Sequence, residues 1–307
     1  MNKLQKIIDK FQITEVETLN KGWSTDRKFI LADKNKTKYL VRISDILLYD
    51  KKKMQFEYLK KFEAKGIPCP RAVDFGILND NEVYLLQTWL DGMAAEDVVP
   101  TLSDMEAYNL GIEAGKTMKK IHSLEIPEQS RTWGERYRAK MPKKIDKLLN
   151  CEYELPMQEK IIRYYQEHAH LAYERPLAFS HGDYHVGNMI VDNNAIGIID
   201  FDKSEAADPY DEFKPFCWNV FASEYFETGM INGYFDNEIP DDFFPILKLY
   251  AAESMVSFLP WSVTFGEAEV KEAIKITEHV LEWYDFFNRD IPSWYKGIKA
   301  EFISEKK

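Results

Sequence analysis

Between residues 179 and 202 the chain runs Phe179-Ser180-His181-Gly182-Asp183-Tyr184-His185-Val186-Gly187-Asn188 and then, beyond two short apolar runs, Ile198-Ile199-Asp200-Phe201-Asp202. Asp183 and Asn188 stand five positions apart. That is the spacing of the phosphoryl-transfer loop H-R-D-x-x-x-x-N, in which the aspartate takes the acceptor hydroxyl and the asparagine a metal ion. Met189-Ile190-Val191 and Ala195 to Ile199 flank the turn-forming cluster Asp192-Asn193-Asn194, which predicts a β-hairpin. Antiparallel pairing sets the start of the first strand opposite the end of the second, so Asn188 and Asp200 are expected at one edge. Two oxygen ligands for one Mg²⁺ require that arrangement. Turn chemistry accounts for one aspartate in a glycine-containing loop, but not for this spacing of three residues.

On His181-Gly182-Asp183, Asn188 and Asp200 the chain resembles the aminoglycoside phosphotransferase family, small-molecule kinases with a protein-kinase-like fold. Weaker correspondences run from about residue 20 to about residue 215. The resemblance implies that Asp183 is the catalytic base, that Asn188 and Asp200 are magnesium ligands, and that His181 is a structural member of the loop. His185 is expected to be a packed or solvent-facing loop histidine. Asp202 reads either as a group supporting the site or as a surface charge after the strand.

The expected architecture is α+β and bilobal: a nucleotide-binding lobe over residues 1–90 with a small antiparallel sheet and one helix, and a mainly helical catalytic and acceptor-binding lobe over 91–307. A chain of 307 residues exceeds the size at which single cores stop growing. Strands are expected near Glu15 to Asn20, Arg27 to Ala32, Thr37 to Ile43, Arg71 to Gly76 and Glu82 to Thr88, where β-branched and aromatic residues lie between turn signals. A lysine-rich helix from about Tyr49 to Lys65 ends at Gly66-Ile67-Pro68.

By the same resemblance, the turn Lys21-Gly22-Trp23-Ser24-Thr25-Asp26 stands where ATP or GTP phosphates would be held by backbone N–H groups and by the hydroxyls of Ser24 and Thr25. Its single glycine departs from G-x-G-x-x-G, and a plain hairpin turn would look the same. Arg42 occupies the place of the third-strand lysine that pairs with nucleotide phosphates and a helix glutamate. Glu57 is the expected partner, with Glu63 the alternative. The backbone at Gln87, Thr88 and Trp89, ahead of Asp91-Gly92, is expected to meet the edge of the base.

Beyond residue 91 the pattern turns helical. Ser103-Asp104-Met105-Glu106 is a capping-box signature for a helix to about His122, with Gly111 and Gly115 four apart for close packing. Further helices are expected near Pro156 to His170, Asp211 to Glu227, Asp241 to Phe258 and Glu267 to Phe287. Two features bear on the acceptor. Asp208, Asp211 and Glu212, with Glu224 and Glu227, suit a polyamine such as an aminoglycoside. Trp218, Trp261, Trp283 and Tyr284 suit a quaternary ammonium cage.

A net charge of −11 argues against a nucleic-acid partner, whose phosphates demand a basic face. It is compatible with a cationic small molecule. Cys69, Cys151 and Cys217 show no C-x-x-C spacing and read as reduced thiols. The first ten residues are too charged for a signal-peptide core, and no run of about 18 apolar residues occurs, so a cytoplasmic, membrane-free protein is expected. A two-metal phosphoesterase would need further His and Asp clusters than six histidines supply. A nucleotide-binding pseudokinase keeps the fold, but retention of Asp183, Asn188 and Asp200 counts against it.

Overall fold

The computed structural model describes residues 4–20, 25–126 and 128–302. Near the amino terminus, helix α1 (Gln5–Phe11) leads into β1 (Ile13–Leu19), β2 (Arg27–Asp33) and β3 (Lys38–Asp45); helix α2 (Tyr49–Ala64) follows, then β4 (Ala72–Asn79) and β5 (Glu82–Thr88). These strands form one antiparallel sheet in the order β1-β2-β3-β5-β4. Side chains alternate across a strand, so Leu31, Val41, Ile43 and Leu86 face one layer, where they pack with Leu4 and Ile7 beside α1. Helix α2 buries Tyr58, Leu59 and Phe62, and the Phe62 ring lies 4.4 Å from that of Phe201. It stops two residues before Gly66, whose φ of +63° is costly for any other residue. The described residues up to Met93, with Ile190–Asn193 and Gly197–Asp202, form one compact unit.

The second compact unit holds the described residues of Ala94–Met189 and Asn194–Ile196 and those from Lys203 onward. In chain order the remaining elements are β6 (Met93–Ala94), α3 (Ala95–Val98), α4 (Asp104–His122), α5 (Trp133–Leu149), α6 (Gln158–His168), β7 (Ala178–Ser180), β8 (Met189–Asp192), β9 (Ala195–Ile198) and β10 (Glu205–Ala207). Helices α7 (Phe216–Ala222), α8 (Glu224–Tyr234), α9 (Phe243–Ser262) and α10 (Glu267–Trp283) complete the sequence. The expected hairpin forms as β8 and β9. Among the described residues, no helix is long and apolar enough to cross a membrane.

Helices α4 and α8 approach through glycine. A Cβ on Gly111 or Gly115 would fall 2.1 or 2.0 Å from the carbonyl oxygens of Phe226 and Met230, and one on Gly229 or Gly233 would meet Tyr108 and Ile112 as closely. The capping box holds: Ser103 Oγ accepts from Glu106 N–H, and the Glu106 carboxylate accepts from Ser103 N–H.

Two expected helices need correction, and one helix was not expected. The single helix from Asp211 to Glu227 is instead a short 3-10 turn followed by α7 and α8, divided at Ser223, whose extended backbone ends one helix while its hydroxyl caps the next. Helix α9 continues past Phe258 through Pro260. Helix α5 has no counterpart among the expected elements; Thr132 and Glu135 cap it, and it tolerates Pro142 in its interior.

Candidate active site

Strand β7 delivers Ser180 to the loop, and one buried acid beneath it sets the loop's course. The Glu212 carboxylate accepts from Ser180 Oγ at 2.5 Å, His181 N–H at 2.6 Å and Gly182 N–H at 2.9 Å, and lies 3.4 Å from His122 Nε2. Burial pushes its pKa up, but His122 and the other donors outweigh it and hold the acid below its ordinary value. Gly182 then turns at φ +82°, where a Cβ would sit 2.4 Å from the Lys203 carbonyl. Buried His181 accepts Asp183 N–H on Nδ1 at 3.2 Å, a scaffold contact. The next turn is pinned from α7: Asn219 Oδ1 accepts Val186 N–H at 2.8 Å, and Asn219 Nδ2 donates to buried Glu227 at 2.8 Å.

This frame presents the Asp183 side chain. Asn188 Nδ2 donates to the Asp183 carbonyl at 2.9 Å and to its Oδ2 at 3.0 Å. Lys203 Nζ stands 3.0 Å from Oδ2, and His185 Nε2 stands 3.7 Å from Oδ1. Burial alone would raise the Asp183 pKa; the His185 and Lys203 contacts prevail and hold it far below the usual carboxylate range. The group is an anion at any physiological pH, suited to accepting a hydroxyl hydrogen bond.

In the amino-terminal unit Arg42 is buried among acids. Its Nε lies 2.9 Å from Asp26 and its Nη1 3.0 Å from Asp200, while Nη2 contacts Asp202. Lys52 of α2 lies 2.7 Å from Asp26 and 3.3 Å from Asp202; Gln55 donates to Asp202 at 2.6 Å, and Ser44 Oγ to Asp26 at 2.7 Å. Desolvation works against the guanidinium charge, but Asp202, Asp200 and Asp26 together raise the Arg42 pKa. Asp200, two residues past β9, adopts φ +64°, a left-handed conformation that aspartate tolerates better than most residues.

The expected Arg42–Glu57 pair does not form. Glu57 sits on the exposed face of α2, 3.1 Å from Lys60, and Glu63 lies 4.0 Å from Arg71. The helix instead offers Arg42's cluster a lysine and a glutamine, so the carboxylates come from Asp26, Asp200 and Asp202. Asp202, left open by the sequence, belongs to this network. Ser24 lies outside the described residues, and Thr25 is exposed. Gln87 is buried in β5; the amides of Thr88 and Trp89 donate to Arg71 O at 2.9 Å and Lys38 O at 3.1 Å.

A cavity of about 400 Å³ in the second unit has Ser180, Gly182 and Asp183 on one wall, with residues of α5, α7, α9 and α10 around it. Its acids are not the free carboxylates expected for a polyamine. Asp208 is fully buried off the cavity, gripped by Arg175 Nε at 3.1 Å and by Tyr250 OH at 2.5 Å. Asp211 lines the cavity but holds Lys214 at 2.6 Å, and Glu212 is committed to the loop. Glu224 pairs with Lys296 at 2.5 Å, and Glu227 is buried. Of the four expected aromatics, Trp218 and Trp261 line the cavity, whereas Trp283 packs on Phe216, Phe221 and His279, and Tyr284 is buried. Sequence reasoning missed Lys203, Asn219 and Glu253; only the position of Lys203, beside Asp202, carried a signal.

Residues 15–238 match the model of the phosphotransferase enzyme family. No curated protein matches the sequence. Solved structures do match in fold. A thermostable mutant of aminoglycoside phosphotransferase APH(4)-Ia, in ternary complex with ADP and hygromycin B, superposes with a TM-score of 0.67 at 18% identity, covering 90% of this chain and 97% of that one. ADP-bound APH(2'')-Ib gives 0.64 at 17% identity, with coverage of 95% and 98%. Amicoumacin kinase hAmiN with AMP-PNP, Ca²⁺ and Ami gives 0.64 at 11% identity, with coverage of 95% and 96%. The fold is protein-kinase-like: a five-stranded antiparallel sheet with its helix, then a mainly helical carboxy-terminal part.

Proposed function

The chain belongs to the phosphotransferase enzyme family, and from that premise we propose that it is a magnesium-dependent kinase moving the γ-phosphoryl group of ATP or GTP to a hydroxyl of a small molecule held in the 400 Å³ cavity. The observation that carries this reading is Asp183: an ionised carboxylate on the cavity wall, fixed by Asn188 and flanked by Lys203. Structures that match in fold include complexes with ADP and with AMP-PNP, which supports a nucleotide donor.

Asp183 accepts the hydrogen bond of the acceptor hydroxyl and orients its oxygen toward the γ-phosphorus. The new O–P bond forms as the bond to the β,γ-bridging oxygen breaks; the nucleoside diphosphate leaves, and the hydroxyl proton passes to Asp183. A carboxylate of such low basicity takes that proton late, which suits a loose phosphoryl-transfer transition state. Positioning therefore outweighs proton abstraction here.

Asn188 and Asp200 would each offer a hard oxygen donor of the kind magnesium prefers. Among the described residues no three His, Cys, Asp or Glu side chains gather into a metal-binding group. Magnesium takes one or two protein carboxylates and keeps its waters, so its assignment rests on the oxygen donors themselves. When bound, the ion supplies neutralisation of phosphate charge. Arg42 is assigned to the donor side, since a guanidinium binds phosphate oxygens bidentately. The remaining donor-side contacts are assigned to the hydroxyls of Ser24 and Thr25; the amides of Thr88 and Trp89, expected to meet the base, are instead taken by Arg71 and Lys38.

An aminoglycoside acceptor rested on Asp208, Asp211 and Glu212. Two of these are buried and the third is paired, so support for a polyamine is withdrawn from those residues. The test is a panel of hydroxylated compounds incubated with each nucleotide and Mg²⁺ and scored by mass for a phosphorylated product. Nucleotide hydrolysis without transfer to any acceptor would refute the kinase reading.

A further inference from the structure

We propose that the cavity beside Asp183 takes a hydroxylated amphiphile with a rigid apolar ring face and an uncharged or singly anionic oxygen group, rather than a polycation. The inference rests on the kinase reading above and names the acceptor class of that same site.

Charge provides the first support. Lys144 and Lys214 reach the cavity wall, and Lys140 stands behind them. The carboxylates around this space are Asp183, Glu205, Asp211 and Glu212 on the wall and Glu253 beside the lysines. Each has a partner in the protein: Glu253 lies 3.0 Å from Lys140 and 2.6 Å from Lys144, Asp211 lies 2.6 Å from Lys214, Asp183 lies 3.0 Å from Lys203 and Glu205 lies 3.5 Å from Arg136, while Glu212 is consumed by the loop. A polyamine entering this space would have to displace a protein donor for every ion pair it made, beside ammonium groups that repel it. An oxygen acceptor instead meets ammonium groups with donors to spare. Burial pushes the Lys144 pKa down, and Lys214 and Lys140 add to that against the pull of Glu253.

The second support is a ladder of rings. Trp218 and Phe258 lie 6.4 Å apart edge to face, Phe258 stacks on Trp261 at 5.5 Å, and Trp261 meets Phe265 at 4.4 Å. Helix α9 is otherwise largely buried, yet Trp261 is 45% exposed, and Trp218 opposite is 41% exposed. Two half-open indoles on the wall of a cavity offer flat apolar area that a ring can cover. The π faces alone would also attract a quaternary ammonium; the ammonium groups of Lys144 and Lys214 on the same wall, with every lining carboxylate already partnered, count against one. A volume of about 400 Å³ suits a body of drug-like size.

The test uses four matched probes: a phenyl glucoside, a phenyl glucuronide, a phenyl glucosaminide and a polyamine aminoglycoside. Calorimetry measures binding to the 307-residue chain, and mass spectrometry with Mg²⁺-ATP and Mg²⁺-GTP scores transfer. The glucoside and glucuronide are expected to bind and to be phosphorylated, and the two amines to bind at least tenfold more weakly. Lys144→Met should weaken the glucuronide about tenfold and the glucoside by a clearly smaller factor; an equal loss for both would mark a general packing defect and remove the role of Lys144. Trp261→Ala should weaken both, and Trp261→Phe should recover most of the loss. Tighter binding of the polyamine, or no binding by either oxygen-rich probe, overturns the acceptor class. Phosphorylation of the polyamine alone overturns it while leaving the kinase reading intact. Binding of the oxygen-rich probes with no transfer from either nucleotide leaves the class standing and removes the kinase reading.

Discussion

Around Asp183 the acid is held by its own loop, with His181, His185, Asn188 and Lys203 all within about twenty residues of it and Glu212 tying the backbone below. Around Arg42 the partners come from 16 to 160 residues away, and the order is carried by side-chain charge: Asp26, Asp200 and Asp202 on Arg42 and Lys52. The first centre is backbone-directed, so its geometry survives loss of the functional group it displays. The second exists only while its charges balance, because a buried carboxylate left without its cation is expensive. Function at Asp183 and stability at Arg42 should therefore respond differently to equivalent substitutions.

The largest effect tests the first half of that contrast. Asp183→Asn should lower kcat by roughly 10² to 10⁴-fold, the range for a positioned acid or base. Because Glu212, Gly182 and Asn219 still shape the loop, its melting temperature and nucleotide affinity should stay near those of the wild type. Unaltered turnover by the folded variant would remove Asp183 from the chemistry; a collapse in stability would show that the loop depends on its acid after all.

Arg42→Met sharpens the other half. It leaves Asp26, almost wholly buried, and Asp202 to share the single charge of Lys52, with Ser44 and Gln55 as their neutral donors. A loss of about 3 kcal/mol is expected, at the lower end for a broken buried pair. Denaturant titration measures it. Nucleotide KM should rise more than acceptor KM, since the guanidinium serves the donor side. A shift confined to acceptor KM would place Arg42 elsewhere in the reaction.

Glu227 tests how firmly the loop is pinned from below. Its carboxyl is fully buried, and burial pushes its pKa up to about 8 from an ordinary 4.5, with only the Asn219 hydrogen bond acting the other way. The titratable groups facing it are Cys217 and Tyr284, both themselves pushed up by burial. The folded chain keeps this proton between those values while the unfolded chain releases it. Its stabilising contribution is thus complete below 4.5 and is lost as pH rises through 8, at about 1.4 kcal/mol per pH unit in between. Glu227→Gln retains an acceptor for Asn219 and removes the titration, so its stability between about pH 5.5 and 7.5 should lack that slope. Parallel curves for the two proteins would mean that Glu227 is ionised in the fold.

The same contrast explains what was legible in the sequence. His181-Gly182-Asp183-x4-Asn188 and the hairpin after it are local, so spacing and turn residues carry them. Gly111 and Gly115 announced a close helix contact, and the matching pair Gly229 and Gly233 was equally visible. Helix α5 carried its signal too, the Thr132-to-Glu135 box, but Pro142 interrupts the pattern. Asp208 and Glu212 misled because an acid after a strand looks the same whether it meets solvent or, as here, Arg175 and the loop amides. No local pattern links Asp26 or Asp202 to Arg42, since the fold alone brings them together.

Glu57 carries the smallest expected effect and the cleanest test of that last point. A helix glutamate paired with the third-strand cation is the arrangement expected from the family resemblance, yet Glu57 faces solvent beside Lys60, an exposed pair worth at most about 1 kcal/mol. Glu57→Gln should leave nucleotide KM within about twofold of wild type and stability within about 0.5 kcal/mol, the usual bound for a surface change. Asp26→Asn, by contrast, removes a charge that Arg42 and Lys52 share, and should raise nucleotide KM and lower stability together. If the two variants exchange roles, with Glu57→Gln impairing nucleotide use and Asp26→Asn silent, then α2 supplies the orienting carboxylate during turnover and the buried network around Asp26 is only scaffold.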